Sequence, residues 1–439
     1  MNYSEIIKLN NSLEGQIQGG EYKVAILSNI MVHQSKDIFE YLLRTESLNA
    51  KVILGEYDNI VQDSKRLQDA DAVIFFWEAC NFIDGLQYKI DLFSEKEFND
   101  IVDKVKFEID IVLSALKNTP TVIINRFSSL VFDQFNLFEG NLKRLVDILN
   151  RYLESNIREN SSLFNIDGVI SRLSIKSATD LRYYYSSKAL YSVDFYREYF
   201  QNIQHIFFAA NGKTKKALIF DCDNTLWKGT LGEDGFNGIK IFQEIQYLAL
   251  QLAKKGVIIG LCSKNNLEDV DNVLENHSDM ILRNDDIVIK KINWSNKVIN
   301  LKSIAEDLNI GLDSLVFIDD SSFEIGLVKQ ELPSVKVFQV PIKEYEYSLM
   351  MKKVSNLFYY PSKTKEDRVK TQMYKDQAKR TKEKNKAVDM ESYLTSLDIL
   401  ITIHINNLAQ LSRISQLTQK TNQFNLTTKR YSESEIKSL

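Results

Sequence analysis

Cysteine and histidine are both scarce in this chain of 439 residues, which has three cysteines and four histidines. Cys80, Cys222 and Cys262 are widely spaced and form no Cys-x-x-Cys pair, so they indicate neither a disulfide framework nor a structural zinc site. The sequence also lacks an apolar run of about 18 residues and a basic segment leading into an apolar stretch near its start. We therefore expect a cytoplasmic protein that is neither exported nor inserted in a membrane.

Clustered positive charge is missing as well. Lys and Arg total 55 against 59 Asp and Glu, which gives a net charge of −4. Because nucleic-acid binding requires Lys and Arg grouped against phosphates, we do not expect nucleic acid as a partner. Lys213, Lys215 and Lys216 form one small basic group, for which a solvated loop is the favoured interpretation over an interaction patch.

The length of the chain and its apolar content predict two or three domains, because a single core stops growing at a smaller size. In roughly the first 205 residues, short β-rich apolar runs alternate with long patterns of helical periodicity. The predicted strands are Tyr22 to Leu27, Lys51 to Leu54, Ala72 to Phe76 and Thr121 to Ile124, and the predicted helices are Phe98 to Leu116 and Asn141 to Leu153. This order is typical of a doubly wound α/β domain with a parallel sheet.

A second α/β pattern carries the chemistry. An apolar strand that begins at Ala217 ends in Asp221 and Asp223, two carboxylates that can share one Mg2+, and Asn224 comes next on a turn that can offer N–H groups to a phosphate. Taken alone, this Asp-x-Asp is better explained as a strand end with an Asx turn after it. It becomes significant only together with polar residues further along the chain.

Three more groups of polar residues come after predicted strands or lie in loops downstream. The strand Val257 to Cys262 leads into Ser263, Lys264, Asn265 and Asn266, and the strand Leu315 to Ile318 leads into Asp319 and Asp320, with Lys297 between the two. Because parallel strands present their carboxyl ends at one edge of a sheet, we expect all of these side chains to meet there.

These residues resemble the haloacid dehalogenase (HAD) superfamily, in which an aspartate is phosphorylated and an acid two residues later handles protons. The resemblance implies that Asp221 is the nucleophile and Asp223 the general acid and base. By the same resemblance the phosphate ligands are Ser263, Lys264, Asn265, Lys297 and Asn224, and the Mg2+ ligands are Asp221, the Asp223 carbonyl and Asp319, supported by Asp320. The cofactor is then Mg2+, because a dianionic phosphate repels a carboxylate nucleophile unless cations neutralise the charge.

Three longer strings narrow the resemblance to the FkbH-like branch of subfamily IIIC, namely Asp223 to Gly235, Cys262 to Asn266 and Ile318 to Glu324. FkbH-like proteins take a glyceryl unit from 1,3-bisphosphoglycerate, remove the phosphate and load the unit onto an acyl carrier protein as a thioester. The resemblance therefore implies these two partners and a combined phosphatase and acyltransferase activity. The alternative is a Mg2+-dependent phosphatase that acts on a small phosphorylated metabolite or a phosphoprotein.

Motif spacing limits the size of any lid. Between Asp223 and Ser263 there is room for a flap and one helix, roughly Phe242 to Lys255, and between Ser263 and Lys297 for a helix, a short strand at Met280 to Leu282 and a loop. No cap domain fits in either segment, so we predict an open site that suits a carrier-tethered substrate. Cys222 and Cys262 flank this site and could hold an acyl group, but burial as small apolar residues is the favoured interpretation.

The predicted domains are 1–205, 206–345 and 346–439. The first resembles an SGNH-like (flavodoxin-like) domain, with Ser28 where the nucleophile would stand. None of the four histidines has the spacing expected of the catalytic base in such a domain. We therefore predict a turn-forming Ser28 and a non-catalytic docking module. The second resembles a capless HAD-like Rossmannoid domain. The third begins as a solvated helical linker, Lys363 to Ala387, and continues with segments that resemble the opening of an acetyltransferase-like domain. There, Asn422 to Asn425 is either a helix cap or a carrier-recognition segment.

Overall fold

A computed structural model describes residues 2–17, 19–133, 140–359, 402–403, 410–420, 431 and 433–438. The chain divides into two compact units, Met1–Gln204 and His205–Leu439. Each unit is built around its own parallel five-stranded sheet, which confirms the predicted α/β class with two doubly wound sheets.

The first unit contains a sheet with the strand order β2-β1-β3-β4-β5. Its strands are β1 Tyr22–Ser28, β2 Ala50–Leu54, β3 Ala72–Phe76, β4 Thr121–Asn125 and β5 Ser161–Phe164. The central strand β3 is buried at every position, as expected for a parallel strand covered on both faces. The connection that follows β1 leads to β2 at one edge of the sheet, and the connection that follows β3 leads to β4 toward the other edge. A topological switch point therefore lies between β1 and β3.

Helices cover both faces of this sheet. They are α1 Tyr3–Leu13, α2 His33–Thr45, α3 Ile60–Arg66, α4 Leu86–Lys89, α5 Glu95–Ala115, α6 Leu130–Asp133, α7 Asn141–Asn156, α8 Ile166–Leu173, α9 Ile175–Ala178 and α10 Leu181–Ser187, and α11 Val193–Ala210 spans the boundary between the two units. The long helix α5 starts at a capping box, in which Ser94 and Glu97 satisfy each other's backbone N–H groups. It packs its apolar stripe with that of α7 on one face of the sheet.

The second unit contains a sheet with the strand order β10-β9-β6-β11-β12 and a small hairpin of β7 and β8. Its strands are β6 Ala217–Phe220, β7 Trp227–Lys228, β8 Lys240–Ile241, β9 Ile258–Ser263, β10 Ile289–Ile292, β11 Leu315–Asp319 and β12 Lys336–Gln339. The central position of β6 matters most for the site, because Phe220 pairs with Leu261 of β9 on one side and with Ile318 of β11 on the other. The residue after Phe220 is Asp221.

Helices also pack around the second sheet. They are α12 Leu231–Asp234, α13 Gln243–Ala253, α14 Leu267–Asn276, α15 Lys297–Asp307, α16 Ser322–Glu331 and α17 Glu344–Asn356. Two apolar clusters fill the two faces of the sheet, and α17 contributes Tyr347, Met351 and Val354 to one of them. This helix crosses the predicted boundary between residues 345 and 346 and belongs to the core of the second unit.

The predicted strand at Met280 to Leu282 is wrong. These residues are largely buried but irregular, because the Gln246 side-chain oxygen accepts the N–H groups of Ile281 at 2.9 Å and Leu282 at 3.0 Å. A side chain thus satisfies backbone donors that a neighbouring strand would otherwise pair, and the strand forms later, at Ile289–Ile292. Sequence patterns also missed the two short edge strands β5 and β12, whose residues are only partly buried or exposed.

Two short helices, Leu411–Lys420 and Glu433–Ser438, are described near the end of the chain. Both lie within the third predicted domain, 346–439. The predicted linker at Lys363 to Ala387 and the segment Asn422 to Asn425 lie outside the described residues. Among the helices that are described, none is long and apolar enough to cross a membrane.

Candidate active site

The site is built on the carboxyl end of β6. The Asp221 N–H donates to the Ile318 carbonyl at 2.9 Å, which continues the pairing with β11 for one more residue and fixes where the Asp221 side chain leaves the sheet. Asp221 is 6% exposed. Asn224 then adopts a left-handed conformation with φ of 51°, and its side-chain oxygen accepts the Gly229 N–H at 3.0 Å, which closes the flap turn after the strand.

Asp223 is held by three hydrogen-bond donors. Its Oδ1 accepts from the Trp227 indole Nε1 at 2.8 Å and from the Leu231 backbone N at 3.0 Å, while its Oδ2 accepts from Asn265 Nδ2 at 2.9 Å. These contacts direct the Asp223 carboxyl toward the flap and the β9 loop. It does not join the other acids.

The loop after β9 connects the ends of the neighbouring strands. Ser263 is buried, its hydroxyl lowers the pKa of the Asp221 carboxyl, and Asn265 holds Asp223. Asn266 accepts from the Trp294 indole at 3.3 Å. Consecutive residues of one loop therefore contact the polypeptide after β6 and after β10.

The sequence predicts Lys264 as a phosphate ligand, and in the structure its ammonium pairs with a carboxylate. Its Nζ lies 2.7 Å from Glu324 Oε1, and Glu324 is buried on α16. This pair links the β9 loop to the first turn of the helix that comes after β11. Lys264 thus links the β9 loop to α16.

Lys297 lies at the centre of the acidic groups. It is the first residue of α15, which Asn296 caps by accepting the Val298 N–H at 2.8 Å. The Lys297 ammonium lies 2.5 Å from Asp319 Oδ2 and 3.1 Å from Asp221 Oδ2, and it is 4% exposed. A buried lysine at this position is stabilised by the two carboxylates, and it holds them near one another.

Asp221, Asp319 and Asp320 each offer a carboxylate oxygen, and these oxygens lie within 4.8 Å of one another. Asp319 is fully buried, and its Oδ1 accepts the Ser321 N–H at 2.8 Å, so its orientation is fixed from both sides. The separation is short enough for one cation to contact all three residues.

An unpartnered atom supports this use of the three acids. Within the described part of the chain, Asp221 Oδ1 is buried and has no hydrogen-bond partner. A buried carboxylate oxygen without a donor is costly, and a hard divalent cation that prefers oxygen ligands would remove that cost. The donor set therefore fits Mg2+.

Burial raises the pKa of Asp221 to about 6; Lys297 opposes the rise, and Asp319 adds to it. Burial and the Asp319 charge also raise the pKa of Asp320, whereas the two carboxylates Asp221 and Asp319 overcome the effect of burial and raise the pKa of Lys297. Three acids beside one lysine leave an excess of negative charge, and a bound cation would lower the pKa of Asp221 and of Asp320.

The structure brings together Asp221, Ser263, Lys297, Asp319 and Asp320, with Asp223 and Asn265 adjoining them. Asn224 lies in the flap, and its side chain opposes the rise in the pKa of Asp320. Trp227 and Glu324 were not singled out from the sequence, although both lie inside the strings that carry the family resemblance. Glu324 contacts Lys264, which is far away in the chain, and Trp227 contacts Asp223 across a turn.

The cysteines and Ser28 take structural positions. Cys222 and Cys262 are fully buried, and burial raises the pKa of both thiols, which disfavours a thiolate. In the first unit, Ser28 is buried and its hydroxyl donates to the Ile30 carbonyl at 2.8 Å. This contact is that of a turn-forming serine.

No protein-family profile and no curated protein matches the chain. Among solved structures, the fold is similar to the N-terminal part of the protein BF1531 from Bacteroides fragilis, which is described as containing a phosphatase domain and as complexed with Mg. The two chains are 24% identical with a TM-score of 0.70, and the match covers 82% of this chain and 100% of the other. At this identity the likeness establishes the fold, and the function is argued from the site.

Proposed function

We propose that this protein is a Mg2+-dependent phosphatase or phosphotransferase that works through a phosphorylated Asp221. The observation that carries the proposal is the convergence of Asp221, Asp319 and Asp320 within 4.8 Å around the buried Lys297. The presence of Mg in the similar BF1531 structure agrees with this proposal.

The chain's own residues have separable roles in this chemistry. Asp221 attacks the phosphorus atom, and Lys297 and Ser263 hold the phosphoryl oxygens and offset their charge. Asp223 protonates the leaving oxygen in the first displacement and removes a proton from water in the second. Asp319 and Asp320, with Asp221, would hold the metal. When bound, Mg2+ supplies positive charge that reduces the repulsion between the phosphate and the nucleophile.

The first test is the replacement Asp221→Asn. We expect phosphate release from 4-nitrophenyl phosphate with Mg2+ to fall to the level of the enzyme-free reaction, because the amide is a poor nucleophile and removes one metal ligand. Acid quench and then intact mass should detect a phosphoryl adduct on the original protein and none on the variant.

Asp313→Asn is the matched control. Asp313 lies near the amino end of β11, at the opposite edge of the sheet, and is exposed. It should release phosphate at the original rate. Equal activity of the original protein and Asp221→Asn would contradict the proposal.

We further propose a specific form of this activity, in which the Asp221 site removes the ester phosphate of a substrate such as 1,3-bisphosphoglycerate. The thiol of an acyl carrier protein attacks the carbonyl carbon of the acyl phosphate, the C–O bond to that phosphate breaks, and the glyceryl unit becomes a thioester on the carrier. The support is the resemblance of the three strings to FkbH-like proteins, together with the small size of the segments around the site. The segment between β6 and β9, all of which is described, holds only the β7–β8 hairpin, α12 and α13. A carrier-tethered substrate could supply the bulk that a lid would otherwise provide.

A carrier-loading assay separates this form from a simple phosphatase. We expect intact-mass measurement of a holo-carrier, incubated with the protein, Mg2+ and 1,3-bisphosphoglycerate, to show a glyceryl thioester that disappears with hydroxylamine. Release of phosphate with an unchanged carrier would favour the alternative, a phosphatase for a small metabolite or a phosphoprotein.

A further inference from the structure

The two oxygens of Asp223 are in different situations. Oδ1 accepts two hydrogen bonds, from Trp227 Nε1 at 2.8 Å and Leu231 N at 3.0 Å, whereas Oδ2 accepts one, from Asn265 Nδ2 at 2.9 Å. A carboxylate oxygen has about two lone-pair directions. Within the described part of the chain, Oδ1 is therefore saturated, and the free lone pair of this carboxyl group lies on Oδ2.

Oδ2 is also the oxygen that faces the phosphate side of the site. The same Asn265 Nδ2 that donates to Oδ2 lies 3.3 Å from Ser263 Oγ, and Ser263 contacts the carboxyl group of Asp221. A series of side-chain contacts, Asp223–Asn265–Ser263–Asp221, thus leads from the oxygen with the free lone pair to the proposed nucleophile. Oδ1 faces the flap.

Trp227 is held in place both by its side chain and by its backbone. It is fully buried in the apolar cluster of the second unit, and its strand β7 pairs with β8 through the Trp227–Ile241 and Lys228–Lys240 positions. Its backbone also bridges Asp223 directly. If the bond to Oδ1 were lost, a buried indole N–H would need another acceptor or would stay unpaired, which makes this contact strongly preferred.

We propose that Trp227 is a positioning residue for proton transfer, which fixes Asp223 so that only Oδ2 exchanges protons with the substrate. The inference rests on the proposed function. In the first displacement an Asp221 oxygen bonds to phosphorus, the bond between phosphorus and the leaving oxygen breaks, and that oxygen takes the proton from Asp223 Oδ2. In the second, Oδ2 takes a proton from water, the water oxygen bonds to phosphorus, and the bond to Asp221 breaks, which restores both carboxyl groups and releases phosphate.

Leaving-group dependence provides the test, because a good leaving group departs without a proton and a poor one does not. Trp227→Phe keeps an aromatic ring in the core and removes the N–H donor. We expect its kcat for phenyl phosphate to fall about 10- to 100-fold, below the full 10²- to 10⁴-fold contribution typical of general acid–base catalysis. For 4-nitrophenyl phosphate we expect the first displacement, measured as the pre-steady-state burst of 4-nitrophenol, to slow less than about threefold.

A second measurement does not depend on the leaving group. Hydrolysis of the phosphoenzyme requires Oδ2 as a base whichever ester is used, so Trp227→Phe should accumulate the phosphoryl adduct of Asp221 during turnover of 4-nitrophenyl phosphate. Acid quench and intact mass report the adduct. The original protein should show a smaller steady-state fraction.

Phe242→Leu is the control for lost packing, because Phe242 packs against the same apolar cluster and makes a ring contact with Tyr347. It should lower the thermal midpoint and leave the ratio of the two substrate rates unchanged.

Three outcomes separate the two proposals. An equal slowing of the first displacement for both esters in Trp227→Phe, or a ratio of these two rates that changes as much in Phe242→Leu, overturns the positioning role and leaves the phosphatase proposal intact. No release from either ester by the original protein overturns both.

Discussion

At the scale of single residues, the two units contain buried acids in opposite situations. Asp221 and Asp319 share the ammonium of Lys297, so their charges are partly balanced. Glu78, at the carboxyl end of β3 in the first unit, is 4% exposed, and the Tyr191 hydroxyl faces its carboxyl, with Asp167 adding a like charge. Burial raises the pKa of Glu78 to about 7.

Glu78 therefore predicts a dependence of stability on pH. The pKa rises from 4.5 in the unfolded chain to about 7 in the folded protein, so the folded state binds the proton more tightly. Its contribution to stability is fully present below 4.5 and is lost as the pH rises through about 7. The span corresponds to about 3 kcal/mol at most.

Urea unfolding of the first unit, followed by amide hydrogen exchange in its sheet at about pH 5 and about pH 8, checks this, with Glu78→Gln as the reference because glutamine has nearly the same shape and does not titrate. We expect the free energy of unfolding of the original protein to fall, relative to the variant, between the two pH values. Parallel behaviour of the two proteins would show that Glu78 is already ionised in the folded state.

At the scale of elements, the flap between β6 and α13 determines how Asp223 is presented. Its short helix α12 ends at Gly235, which has φ of 70° in the left-handed region, and the chain then turns back at Gly238. The Gly238 N–H donates to the Gly235 carbonyl at 3.1 Å. The flap is thus a compact turn that orients the Leu231 N–H toward Asp223.

Gly238→Ala should disturb this turn. A Cβ at Gly238 would lie 2.2 Å from the backbone oxygen of Asp234, which cannot move without α12. We expect phosphate release to fall up to about 100-fold, because a small displacement of a reacting group has an effect of that size.

Gly232→Ala is the matched control for this prediction. Gly232 lies within the same helix, and no described heavy atom lies within 4 Å of a Cβ built there. Its activity should equal that of the original protein. A loss of activity in Gly232→Ala as large as that in Gly238→Ala would mean that the flap does not tolerate any side chain, and the clash would not be the cause.

At the scale of the whole molecule, the second unit is held together at its active edge by charge as well as by its core. The loops after β6, β9 and β11 meet through Lys297 and through the pair Lys264–Glu324. The repulsion between the acids there destabilises the folded state locally, and a cation that binds only the folded state would stabilise it.

Mg2+ should therefore stabilise the second unit. At a concentration of about 100 times its Kd, the expected gain is about 2.7 kcal/mol. Because a protein of two units need not unfold in one step, amide hydrogen exchange is the suitable measurement, and the slower exchange should appear in β6, β9 and β11.

Asp319→Asn serves as the comparison for the Mg2+ effect. It keeps the shape of the side chain and removes one of the three carboxylates. We expect Mg2+ to leave the exchange of this variant nearly unchanged. Equal slowing in both proteins would place the cation elsewhere.

Much of the fold was predictable from local patterns in the sequence. Strands such as Ala72–Phe76 are continuous apolar runs, which only a sheet covered on both faces accommodates, and this prediction is confirmed. The edge strand Ser161–Phe164 was missed because an edge strand is weakly buried and leaves a weaker apolar signal. The strand predicted at Met280 to Leu282 failed because the Gln246 side chain, in place of a neighbouring strand, accepts the backbone N–H groups there, although Met280 and Leu282 are buried in an apolar cluster.

The sequence by itself determined which residues stand at strand ends, and hence that Asp221, Ser263 and Asp319 lie at one edge, because chain direction in a parallel sheet leaves no alternative. Only the tertiary structure decided how those side chains pair. That Lys264 binds Glu324, that Lys297 joins two acids, and that Trp227 occupies one oxygen of Asp223 all depend on distances between separate segments. Such distances are set by packing between elements, which no local pattern of residues encodes.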